Sequence, residues 1–155
     1  MNAMSAGAFL SLFDRLDAEA DAAFQCWRAE ADELGKSLQR DLVRLFNVRN
    51  TLGIESFMSA APNSLHYGLP DLMALAPRNP IDLQRLERVL LRAITLYEPR
   101  LIQVRVQARS DPAMPVAALV TISALATLNR QPHEVHVDLV LDGQSTRASA
   151  PEPQP

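Results

Sequence analysis

PIDLQRLERVLLRAITLYEPRLIQVRVQAR, from Pro80 to Arg109, changes its apolar period partway along. Up to Tyr97 the residues Leu83, Leu86, Val89, Leu90, Ala93, Ile94 and Tyr97 recur at the spacing of one helix face. Beyond Pro99 the period is two. Ile102, Val104, Val106 and Ala108 alternate with Gln103, Arg105, Gln107 and Arg109, as in a strand with one apolar and one wet face. The helix starts after Asn79, with Pro80 in its first turn. Pro99 removes an amide donor and forces Glu98 out of the helical region, so the helix ends by Tyr97.

Working downstream, Asp111-Pro112 breaks this strand and Val116 to Leu128 supplies a more fully apolar one. Asn129 to His133 then turns the chain into Val135, Val137, Leu139 and Leu141. Such short turns imply an antiparallel meander. The stretch Val116 to Leu128 is too short to cross a membrane and contains Thr121, Ser123 and Thr127, which suits a buried strand. From Asp142 to Pro155 the composition turns to Ser, Ala, Pro and Gln, which bury too little surface to order themselves. We therefore expect one domain over residues 1–141 and a disordered tail over 142–155.

Upstream, Thr51 to Asn79 holds Gly53, Pro62, Asn63, Gly68, Pro70 and Pro77 and reads as loop, of a length that is usually functional. Ser37 is placed to cap a helix with Leu38, Leu42, Leu45 and Phe46 on one face, ending near Asn47. Phe9, Leu10, Leu12, Phe13 and Leu16 give a short amphipathic helix over Ala8 to Leu16. The alanine- and acid-rich stretch between these two can continue as helix, with its apolar face thinned to Phe24, Trp27 and Leu34. The expected fold is α+β: N-terminal helices packed on one face of a three-stranded antiparallel sheet.

At 155 residues, 48% hydrophobic and 21% charged, the chain suits one globular core. A net charge of −3 without a basic block excludes a protein whose main task is to hold a phosphate backbone. A single cysteine, Cys26, and the lack of a basic and apolar leader favour the cytoplasm. Beside Trp27 and without a clear histidine partner, Cys26 reads as structural. His66, His133 and His136 form no ligand cluster, and five glycines leave no phosphate loop. No GxSxG or HExxH motif occurs. Neither a metal nor another cofactor is expected.

The best catalytic candidate is a carboxylate pair, Glu98 with Asp71, serving a glycosidase as acid and nucleophile. Arg100 counts against it. In an extended segment its side chain falls on the side of Glu98, and an arginine that close favours an ionised carboxylate, the opposite of what a general acid needs. Helix termination explains Pro99 and leaves Arg100 over, because its parity matches Ile102, Val104 and Val106, where a charge requires a partner. Two readings stay open. Glu98 and Arg100 either pair with each other at the sheet's rim or reach carboxylates and carbonyls of another subunit.

SLFDRL (Ser11 to Leu16), RDLVRLFNVR (Arg40 to Arg49), SLHYGLPDL (Ser64 to Leu72) and YEPRL (Tyr97 to Leu101) together resemble the phage baseplate wedge family, often called GPW or "lysozyme-like". Within that family they are most similar to its TssE members from bacterial type VI secretion systems. The likeness runs from about Leu10 to Leu141, with Val48 where a threonine is usual and His66 where an asparagine is usual. Nothing carries over onto Asp17 to Leu34. The resemblance implies a non-enzymatic baseplate subunit that joins the wedge proteins TssF and TssG and contacts TssK assemblies indirectly. It also implies a sheet that templates the first ring of contractile sheath, built of TssB and TssC. On this reading Tyr97, Glu98, Pro99 and Arg100 bind partners, and Tyr67, Gly68, Leu69, Pro70 and Asp71 form a shaped loop, structural or interfacial. Neither nucleic acid binding nor direct membrane insertion is implied. A peptidoglycan-cleaving enzyme and a generic adaptor are the competing readings.

Overall fold

The computed structural model describes residues 12–149 apart from residues 62 and 144. The described residues form three helices, α1 (Leu12–Asn47), α2 (Ile54–Ser59) and α3 (Pro80–Tyr97), and a 3-10 turn at Ser64–His66. Among the described residues four strands follow, β1 (Leu101–Ser110), β2 (Ala117–Leu128), β3 (Gln131–Asp142) and β4 (Thr146–Ala148). They form one antiparallel sheet in the order β1-β2-β3-β4. The fold is therefore α+β as expected, with four strands where three were expected.

The helices cover one face of the sheet. Val120, Ile122, Ala124 and Ala126 of β2 and Val135, Val137, Leu139 and Leu141 of β3 turn their side chains into the core. There they meet Leu38, Leu42, Leu45 and Phe46 of α1 and Leu86, Val89, Leu90, Ala93 and Ile94 of α3. The opposite face is polar. Thr121 Oγ1 donates to Asp138 at 2.7 Å, and Ser123 Oγ lies 3.1 Å from His136 Nδ1. Asn129 and Arg130, both at positive φ, make the two-residue hairpin turn whose twist suits antiparallel strands.

α3 has the expected bounds because both ends are chemically marked. Asn79 Oδ1 accepts from Ile81 N–H at 3.0 Å, and Pro99 blocks continuation past Tyr97. At α1 the expectation of separate helices is corrected. Helix runs unbroken from Leu12 through Asn47, and Ser37 lies inside it instead of capping it. The alanine- and glutamate-rich stretch has high intrinsic helix propensity, so no terminus forms. Of the proposed Ala8 to Leu16 helix, residues 8–11 lie outside the described residues.

Two further corrections concern the sheet. Ile102 pairs with Leu125 and Arg105 with Ser123, so β1 carries one extra residue, and Gln103 within it has φ +52°. This bulge reverses the alternation. Leu101 is buried and Ile102 is 50% exposed, so the shared apolar parity of Arg100 and Ile102 does not hold. The fourth strand lies in the stretch expected to be a disordered tail. Its order comes from hydrogen bonds, which a composition argument does not count. Asn47 Nδ2 donates to Thr146 O at 2.9 Å while Asn47 Oδ1 accepts from Thr146 N–H at 2.8 Å, and Ser145 closes the turn on Asp142. Residues 150–155 lie outside the described residues.

Asn47→Ala removes both of these bonds and is expected to cost roughly 1–2 kcal/mol. Amide exchange at Thr146 should accelerate while exchange in β2 stays slow; unchanged protection at Thr146 would contradict this account of β4.

Candidate functional site at the junction of α3 and β1

The turn from α3 into β1 is tight. Glu98 N–H donates to Ile94 O at 2.8 Å as the last helical bond, and Leu101 N–H returns to Glu98 O at 3.1 Å. That geometry buries the Glu98 side chain, of which only 9% is accessible. A buried carboxylate needs strong donors. Arg100 supplies them in a two-pronged arrangement, Nε to Oε1 at 2.6 Å and Nη2 to Oε2 at 2.7 Å. Nη2 also donates to Asp41 Oδ2 of α1 at 2.6 Å. Arg100 is thus fixed on two carboxylates, one just past the end of α3 and one on α1, yet 45% of its side chain remains accessible. These donations hold its guanidinium pKa further up than usual, with Glu98 contributing more than Asp41.

Of the two open readings, pairing inside the chain is the one made here. The pair Glu98 with Asp71 is not assembled: Asp71 is exposed and its Oδ1 accepts from Met73 N–H at 2.9 Å, closing its own turn. Sequence reasoning missed Asp41. Its signal was present, since it lies three residues from Leu38 and four from Leu45, on the buried stripe of α1 where a charge requires a partner.

The loop Tyr67, Gly68, Leu69, Pro70 and Asp71 is built around backbone pairing with the segment after α1. Leu69 N–H donates to Val48 O and Asn50 N–H to Leu69 O, both at 2.8 Å. Asn50 Nδ2 donates to the carbonyls of His66 and Gly68, each at 3.2 Å. Gly68 has φ +106°, and a Cβ there would stand 2.4 Å from Val48 O, so both conformation and space demand glycine. Leu69 and Pro70 are fully buried behind it. Tyr97 ties the loop to α3: its hydroxyl donates toward His66 O at 2.9 Å and Asn63 O at 3.1 Å, and its ring meets Tyr67 edge-on at 5.2 Å. Tyr67 is half-exposed at this rim. Its phenol pKa is raised, first by burial and then by the carboxylates of Asp41 and Glu98, with Arg44 opposing.

Among the described residues no group of three or more His, Cys, Asp or Glu side chains could hold a metal. A largely apolar cavity of about 280 Å³ between Leu72, Leu75, Leu83 and Leu86 shares no residue with the ion cluster. No described helix is long and apolar enough to cross a membrane.

A long first helix, a loop hooked beneath it and a one-sided antiparallel sheet with an ion cluster at its rim together make up an α+β domain. The sequence model of the family described as baseplate wedge protein gp25 matches residues 32–133, and the chain belongs to that family. Its fold is similar to a chain in a solved structure described as "The baseplate complex from the type VI secretion system". That match has a TM-score of 0.57 and 19% identity over 76% of this chain and 99% of the other. Among curated proteins no match is found.

A raised phenol pKa means that the neutral form is favoured by folding, so its contribution to stability is present below pH ~10 and is lost as pH rises above that value. By carbon NMR of labelled tyrosine, Tyr67 is expected to titrate above free tyrosine, and Asp41→Asn to bring it down. A Tyr67 titration indifferent to Asp41→Asn would contradict the placement of these groups.

Proposed function

We propose that this chain is a non-enzymatic component of a type VI secretion baseplate, which joins the wedge subunits TssF and TssG and templates the start of contractile sheath polymerisation by TssB and TssC. The observation that carries the reading is the Glu98, Arg100 and Asp41 cluster, rigid and half-exposed, in a member of the baseplate wedge family. A guanidinium already oriented by two carboxylates loses little freedom when it meets carbonyls or carboxylates of a second subunit. Tyr97, Glu98, Pro99 and Arg100 form this contact, and the Tyr67 to Asp71 loop supports it from beneath. TssK is reached through the wedge.

The template role is supported by open strand edges. β1 has one strand neighbour, and β4 covers β3 only over Leu139–Leu141. Unpaired backbone groups along such edges accept an added strand from another chain. One donor of β1 is already taken, Ala108 N–H by Glu87 Oε1 at 2.8 Å. Work at a baseplate places the protein in the cytoplasm, docked at the membrane-associated assembly. Peptidoglycan cleavage lacks a supporting geometry: both oxygens of Glu98 are occupied by Arg100, and Asp71 is turned to its own loop.

Arg100→Ala is expected to give a folded protein, by circular dichroism, that no longer co-purifies with TssF and TssG and supports no fluorescent sheath foci in cells; Glu98→Ala should behave likewise. Normal foci in both variants would overturn the proposal. Release of muropeptides by the purified chain would revive the enzyme reading.

A further inference from the structure

α1 continues well beyond the body it packs on. Its first buried described residue is Ala31, and the turns from Glu19 up to it span about 18 Å at ~1.5 Å per residue. Contact with the domain thins out over the β2–β3 hairpin, where the Trp27 ring meets His133 edge-on at 5.3 Å and Glu30 accepts from Asn129 Nδ2 at 2.6 Å. Residues 19–26 are all exposed. Phe24 stacks on Trp27 at a centroid distance of 6.1 Å and is still 54% exposed.

The apolar seam of α1 does not stop with the contact. Ala20, Phe24, Trp27, Ala31, Leu34 and Leu38 follow one another at alternating steps of four and three, the spacing of a coiled-coil seam. Leu34 and Leu38 spend this seam on the core, whereas Ala20 and Phe24 remain exposed.

Charge selects what covers it. Between residues 19 and 33 the exposed helix carries five carboxylates, of which Glu19, Asp21 and Glu30 border the seam and Asp32 and Glu33 lie further round, against the single guanidinium of Arg28, which also borders it. This stretch alone holds more negative charge than the whole chain's net −3. All five are exposed, and among the described residues Glu19, Asp21 and Asp32 make no ion pair. Two copies aligned along this seam would set Glu19, Asp21 and Glu30 against like charges, whereas a basic helix would meet Glu19 and Glu30 on one side and Asp21 on the other.

We propose that the exposed part of α1, centred on Ala20, Phe24 and Trp27, is a docking seam for a basic amphipathic helix of a partner protein. The seam precedes residues 32–133, the stretch matched by the family model, so the inference stands apart from the Glu98 and Arg100 site.

The test uses the full chain and a synthetic helix of about four heptads with an isoleucine and leucine seam and lysine flanks. Trp27, the single tryptophan, reports binding by fluorescence. Saturable binding with a Kd on the order of 10 μM is expected, weakened at least about tenfold by Phe24→Glu. A scrambled peptide of equal charge and a glutamate-flanked helix should not bind. Absence of saturable binding, equal binding of the scrambled peptide, or indifference to Phe24→Glu would overturn the proposal. So would a concentration-dependent dimer of the chain alone that Phe24→Glu abolishes, because the seam would then belong to a second copy. Phe24 is exposed, so the variant is expected to fold.

Discussion

A buried carboxylate organises this molecule. Pro99 makes the helix-to-strand turn so tight that Glu98 points inward, and an isolated charge there would cost several kcal/mol. Arg100, two residues on, offsets that cost with two short bonds and carries the connection across to Asp41 on α1. One guanidinium therefore sets the relative position of α1, α3 and the first sheet strand. The same arrangement leaves a rigid, half-exposed cation at the rim. A single chemical solution to a burial problem thus becomes a surface with a fixed geometry, which is what an assembly subunit requires.

Around this cluster the structure closes by similar long-range clamps. Asn50 and Tyr97 bind the backbone of the 63–69 loop from two sides, and Arg92 donates through Nε to Phe57 O at 2.9 Å, holding α2 against α3. Asn47 performs the same task for β4. Each clamp uses a side chain to satisfy backbone groups that lie outside a helix or ladder, so irregular segments are held without a large apolar core of their own.

How legible this was depends on the range of the deciding interaction. α3 has the bounds expected from sequence because Asn79 and Pro99 act on adjacent residues. The core faces of β2 and β3 follow from period two alone. The bulge at Gln103 carried no local sign, since neither glycine nor asparagine marks its positive φ. β4 depends on a residue 99 positions away, and composition argued against it. Ser37 had the features of a cap, but the helix propensity of the residues before it decided the outcome. At the site, Glu98 and Arg100 were legible as a charge pair needing partners. Asp41 was not, although a charge on the apolar stripe of α1 marked it.

The central claim is that Arg100 is energetically coupled to Glu98 within the folded chain, and a double-mutant cycle measures that coupling directly. Urea unfolding of the wild type, Glu98→Gln, Arg100→Met and the double variant should give a coupling free energy of roughly 1–3 kcal/mol, with Arg100→Met alone destabilising because it strands a buried carboxylate. Additive effects, with a coupling indistinguishable from zero, would contradict the account and leave the pair as two independent surface charges.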